Sequence, residues 1–265
     1  MPVRILSAQE ETGQRTFIRD QYDLITDRPD QTESADVVPL FRLQIETGVL
    51  QEWQESGRDF YIHNREFGGT LLRFGFHRRF EARLNSGLLQ TRAKLVGLET
   101  DEVHGMAPVE VGLKVKILEE NGMIPDMALI AGFQIPGTGG EEYASEELIQ
   151  TYLFAFAHTL GDDLGLGFNL GLEHDKLSQQ ITLIYSLVFG YAARERVGIF
   201  IETYGNKRWY TGDQPLSYLL DMRADAGLTY LMRPNLQLDL SGGLGLSAIS
   251  PEGFISAGIS WRIPR

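Results

Sequence analysis

The chain has 265 residues, with 24 Lys+Arg against 36 Asp+Glu, and its formal net charge of −12 argues against nucleic-acid binding. It holds no cysteine, which excludes disulfides, thiolate metal sites and a lipidated N-terminal cysteine. No apolar run reaches the ~18 residues of a helical membrane span, and the 29 glycines exceed the roughly 7% of ordinary chains.

Residues 1–38 lack strand alternation and are rich in Glu, Gln, Asp and Arg, so they read as an irregular segment ahead of a second unit, 39–265. The start, Met1 to Gln9, is too short and polar for a secretory signal peptide, so either the sequence is a processed or trimmed form or a membrane reading of it is wrong. From Phe41 onward twelve strands are predicted: 41–54, 60–77, 80–95, 108–118, 126–136, 148–160, 163–174, 179–191, 197–207, 217–232, 236–247 and 253–263. Side chains alternate faces along a strand, so each apolar–polar stretch has one oily side and one ionic side. Val111, Leu113, Val115 and Ile117 interleave with Gly112, Lys114 and Lys116, and Leu236, Leu238 and Leu240 enclose Gln237 and Asp239. The apolar parity is expected to lack charge, because a charge facing lipid costs about 2–4 kcal/mol at mid-bilayer. One stretch, Leu148 to Leu160, also fits a helical stripe; Gly161-Asp162-Asp163 and the alternation after it favour a hairpin.

The connections differ in length. His77-Arg78-Arg79, Gly161-Asp162, Ala192–Arg196 and Arg233-Pro234-Asn235 are short, with 119–125 the longest on that side. Stretches 96–107, 137–147 and 206–216 are longer and rich in Gly, Glu and Asp. Short turns at one end, long loops at the other and an even strand count predict an all-β fold: a single antiparallel up-and-down transmembrane β-barrel of about twelve strands. Phe76, Phe80, Phe189, Tyr191, Tyr230 and Trp261 fall outward beside the short turns, and Trp53, Tyr152 and Tyr218 toward the other rim, as an aromatic girdle would.

The inward parity collects Glu46, Arg73, Glu81, Arg83, Asn85, Glu110, Lys114, Lys116, Glu202, Asp221, Arg223, Asp225, Asp239 and Arg262. Two readings stand side by side: a wet lumen whose charges tune a solute pathway, or ion-pair networks that brace the wall. Arg223, flanked at period two by Asp221 and Asp225, is expected to pair across strands with Glu202 and Asp239, with Lys114 or another cation completing the balance. No cofactor or metal is expected. The five histidines are scattered, and no nucleophile elbow, phosphate loop or zinc motif occurs.

Leu24-Ile25-Thr26-Asp27-Arg28-Pro29-Asp30-Gln31-Thr32-Glu33-Ser34, followed by Arg42–Gly48, resembles the outer-membrane transporter family labelled "putative meta-pathway of phenol degradation". The run Gly227–Asp239 and the ending Phe254–Arg262 add to that resemblance, although the chain closes on Ile263-Pro264-Arg265 and not on a terminal aromatic. The resemblance implies an outer-membrane barrel that acts as a transporter. Asp27, Arg28, Asp30 and Glu33 are candidate plug residues that fold back against the inward charges; the other reading is a flexible tail.

The leading functional expectation is a passive outer-membrane channel for small solutes, aromatic compounds among them, with the lipid bilayer and the solute as partners and no nucleic acid. The alternatives are a non-conducting barrel presenting the loops 139–147 and 206–213 to protein partners, a membrane-embedded hydrolase, and a soluble barrel or sandwich around an apolar ligand.

Overall fold

The computed structural model describes residues 24–55, 60–94, 101–210 and 218–264. Its strands are β1 (Leu43–Glu55), β2 (Tyr61–His77), β3 (Phe80–Lys94), β4 (Asp101–Met106), β5 (Glu110–Leu118), β6 (Asp126–Gln134), β7 (Ile149–Thr159), β8 (Leu164–Asp175), β9 (Gln180–Arg194), β10 (Val197–Tyr210), β11 (Tyr218–Arg233), β12 (Leu236–Gly245) and β13 (Gly253–Ile263). Every ladder is antiparallel. β1 pairs with both β2 and β13, and β3 pairs with β2 and β5, so all strands but β4 close a twelve-membered ring. Closure removes the sheet edges, which in hydrocarbon would leave backbone groups unsatisfied.

All twelve expected strands are present. The stretch Leu148 to Leu160 forms β7, with Leu153 and Ala155 buried inside and Tyr152 and Phe154 exposed outside. The thirteenth strand, β4, falls where a loop was expected. The ladder along β3 divides: Phe80–Asn85 pairs with β5, and Leu88–Ala93 continues past the ring to pair with β4. Asp101, Glu102 and His104 leave β4 no clean oily face, so its sequence carries no alternation to read.

The outer surface is oily to a degree that water would not tolerate. Ile201, Ile255, Leu170, Leu172 and Leu240 are all exposed and lie on the outward parity. The inner surface is the reverse, with Arg73, Lys114, Gln44, Glu46 and Glu81 fully buried. Ionic inside and apolar outside is the inversion that a hydrocarbon solvent demands, and it excludes the soluble barrel or sandwich. Phe76, Phe189, Tyr191, Tyr230 and Trp261 are exposed near the short turns, as the girdle reading expects; the side chain of Tyr218 lies outside the described residues.

The uncharged outer parity does not hold to the ends of the strands. A bulge at Gly68 and Gly69 switches parity within β2, so Arg65 points outward and bonds Gln51 and Gln90. Arg92 shares the outward row of His63, and Lys207 lies 5.3 Å over the outward Trp209 ring. These cations sit toward the long-loop end. β2 has 17 residues, against the roughly 9–11 that cross a bilayer, and the surplus carries them past the lipid.

Candidate functional site

Residues 24–38 run inside the ring, and Leu40 and Phe41 are exposed beyond it. The segment bonds to strands all the way round, which only an interior position permits. Entry is beside β2: the Phe41 N–H donates to the Gly75 carbonyl at 2.6 Å, and a Cβ on Gly75 would lie 2.1 Å from the Val38 carbonyl oxygen. A side chain there would block the crossing.

On one side the segment meets a cationic wall. Arg73 forks onto both carboxylate oxygens of Glu81, at 2.8 and 3.0 Å, and reaches Glu46 at 2.9 Å and Asp27 at 3.0 Å. Asp27 also takes Arg83 at 2.8 Å and Lys114 at 2.9 Å. Glu33 accepts from Arg83 through both oxygens at 2.8 Å. Lys116 bridges Asp36 at 2.8 Å and Asp126 at 2.6 Å. Backbone donors complete the set, with Val38 N–H to Glu81 at 2.7 Å and Asp27 N–H to Glu46 at 2.9 Å. Arg262 donates to Gln44 at 2.8 Å, and Gln44 donates to the Ile25 carbonyl. Glu110 faces inward level with Asn85 and Gln134.

The opposite wall is acidic, and here the segment presents its arginine. Arg28 donates to Asp239 at 3.1 Å and to Ser256 at 3.0 Å. It lies flat over Gly48 and Gly258, where a Cβ would come within 2.5 and 2.4 Å of its guanidinium. Only bare backbone leaves that slot open. Gln31 N–H donates to Glu202 at 2.8 Å, and the Thr32 hydroxyl sits between Glu202 and Ser186. Glu33 N–H donates to Asn169 at 2.7 Å, and the Asn169 amide returns a bond to the Glu33 carbonyl at 3.0 Å. Asp30 apart, the charge order of the segment mirrors the walls it faces.

Arg223 departs from the expected pairing. It holds Asp221 at 2.8 Å and Glu52 at 2.6 Å, and not Glu202 or Asp239. The reason lies in the register: Gly243 and Gly245 line the inner face beside it, so the guanidinium reaches over them to β1. Asp239 is taken by Arg28, Glu202 by Gln31 and Thr32, and Lys114 is spent on Asp27. The carboxylate of Asp225 is buried beside that of Glu202 in register, with no Lys or Arg bonded to it among the described residues. Sequence reading missed Glu52, Asp36, Asp126, Gln44, Asn169 and Ser186. Alternation puts Glu52, Asp126, Gln44, Asn169 and Ser186 on inward positions, whereas Asp36 lies in the segment without alternation, and no pattern says which of the six find partners.

Asp27 and Asp30 answer pH in opposite ways. Burial alone would raise the Asp27 carboxyl, but Arg73, Lys114 and Arg83 outweigh it and hold it well below the usual carboxylate range. Its support for docking is therefore present above about pH 4 and is lost as pH falls further. Burial pushes Asp30 well above its ordinary value, and the charge of Glu202 adds to the rise. The docked state thus keeps a proton on Asp30 that the released state gives up, so docking weakens as pH rises through the raised value. Hydrogen–deuterium exchange across residues 24–38, corrected for intrinsic rate, is expected to quicken from acid to alkaline pH. Asp30→Asn should flatten that dependence; an unchanged slope in the variant would assign it elsewhere.

Three solved structures align with the chain, and the first of them shares its fold. An outer membrane channel from Pseudomonas putida F1 aligns with a TM-score of 0.65 at 10% identity, covering 86% of this chain and 98% of that one. The KdgM porin in complex with disordered oligogalacturonate gives 0.49 at 12% identity, over 82% and 98%. The CymD monoaromatic hydrocarbon channel gives 0.44 at 9%, over 83% and 87%. No curated protein matches the chain. The family model described as "Putative MetA-pathway of phenol degradation" matches residues 26–263, from the inserted segment through the closing strand, and the chain belongs to that family.

Proposed function

We propose that the barrel is a passive channel of the bacterial outer membrane for small organic solutes, aromatic compounds among them, and not an enzyme. In this reading residues 24–38 form its constriction. The observation that carries it is a pair of cavities of about 390 and 400 Å³, one lined by residues between Leu24 and Gln237 and one by residues between Gln31 and Arg223. The contacts of Gln31, Thr32 and Glu33 with Glu202, Ser186 and Asn169 lie between them. A few hydrogen bonds, each worth about 0.5–1.5 kcal/mol net, close the way, and no strand crosses it.

Of the inward charges, Asp221 and Arg223 line the second of these cavities. Glu46, Arg73, Glu81, Arg83, Lys114, Lys116, Glu202 and Asp239 are engaged with the segment and brace it against the wall. Asp27, Arg28, Asp30 and Glu33 set the bore from the segment's side. The cationic wall of β2–β5 faces the acidic wall of β10–β12, which places a transverse field across the opening. Leu153 and Ile184, which line the second cavity, give an organic body an apolar contact. The family's description, which speaks of phenol degradation, favours aromatic solutes.

Single-channel recording of detergent-purified protein in planar bilayers tests the reading. Discrete current steps in salt solution are the expected result. A silent bilayer, with protein shown to be folded and inserted, would favour the non-conducting barrel that offers its long loops to partners.

A further inference from the structure

The cavity on the long-loop side of the constriction holds two charges that the wall networks leave out. Glu173 on β8 stands opposite Thr182 on β9, and Thr182 stands opposite Arg208 on β10. The three form one inward row, with Glu173 and Arg208 two strand spacings apart, roughly 10 Å between backbones. Arg208 spends one donor on Asn206 at 3.0 Å. Among the described residues no carboxylate lies within ion-pair distance of Arg208, and no cation lies within that distance of Glu173. The remaining charges lining this cavity, Asp221 and Arg223, are paired with each other.

The next row toward the constriction is apolar. Leu153, Gly171 and Ile184 face inward side by side across β7, β8 and β9, and Leu153 and Ile184 line the same cavity. An anion and a cation that form no ion pair among the described residues therefore flank a short gap above an oily floor, with Thr151 bonded to Glu173. Long side chains let both reach inward over Thr182. The cavity, about 400 Å³, is within the size range of small-molecule sites.

Resting on the channel reading above, we propose that this cavity is a binding subsite for a zwitterion with an apolar body, of the α-amino acid kind: Glu173 takes the ammonium, Arg208 takes the carboxylate, and Leu153 with Ile184 carries the side chain. A solute with a single charge would leave one of the two wall charges without a partner in a partly dehydrated space. That penalty supplies the discrimination.

Equilibrium dialysis of the full chain in detergent, near neutral pH, uses three probes of matched body: phenylalanine, 3-phenylpropionate and 2-phenylethylamine. Phenylalanine is expected to bind at least about five-fold more tightly than either singly charged probe, and glycine more weakly than phenylalanine. Arg208→Gln should cancel the advantage over the amine, and Glu173→Gln the advantage over the carboxylate. Both substitutions lie outside the ion-pair networks, and heat-modified gel mobility verifies folding. Equal binding of a singly charged probe to the unmodified protein overturns the proposal, as does phenylalanine binding that neither variant changes. Bilayer recording separates the two readings: binding without current removes the channel and keeps the subsite, while current without a phenylalanine preference removes the subsite alone.

Discussion

Deleting residues 1–38 is expected to raise single-channel conductance several-fold and to move ion preference toward anions. Between Leu24 and Val38 the segment carries Asp27, Asp30, Glu33 and Asp36 against the single Arg28. It also occupies the space between the two large cavities. Its loss widens the bore and uncovers Arg83, Lys114 and Lys116, whose partners on the segment are Asp27, Glu33 and Asp36. The barrel itself should persist, because closure rests on strand ladders, and Arg73 keeps Glu46 and Glu81. Conductance and solute uptake unchanged by the deletion would show that the segment does not limit passage.

Arg73→Met is the substitution expected to cost most. Its guanidinium is 1% exposed and is shared by Asp27, Glu46 and Glu81, all within 3.0 Å. Methionine keeps much of the volume but leaves those acids to repel one another, and breaking a buried ion network of this kind costs about 3–5 kcal/mol. Two readouts should move together: a lower temperature for the gel-mobility change of the barrel, and faster exchange across residues 24–38. Adding Glu81→Gln should recover part of both, since it removes one of the stranded charges. A single variant with native heat stability and native exchange would refute the central place given to Arg73.

Much of the barrel was legible because a strand in a membrane wall obeys a local rule. Residues two apart share a solvent, so Leu236, Leu238 and Leu240 announce lipid, while Gln237 and Asp239 announce the interior. That rule weakens where both faces are apolar. On β6 and β7 the inward Ile130, Leu153 and Ala155 sit between outward apolar residues, which is why that stretch also fitted a helix. It fails at β4, which is not part of the closed ring and among the described strands pairs with β3 alone. It also slips at the Gly68 bulge, where one extra residue turned Arg65 outward.

The sequence by itself determined the twelve wall strands, most of their inward and outward faces, and much of the set of charges that meet inside, because each of these follows from period-two spacing within one strand. Only the tertiary structure decided who pairs with whom. Arg223 reaches Glu52, and Asp27 gathers Arg73, Arg83 and Lys114, because ring closure and register bring together residues far apart in the chain. The slot for Arg28 over Gly48 and Gly258, and the gap between Glu173 and Arg208, arise in the same way. Long-range register is a property of the closed ring, and no local pattern encodes it.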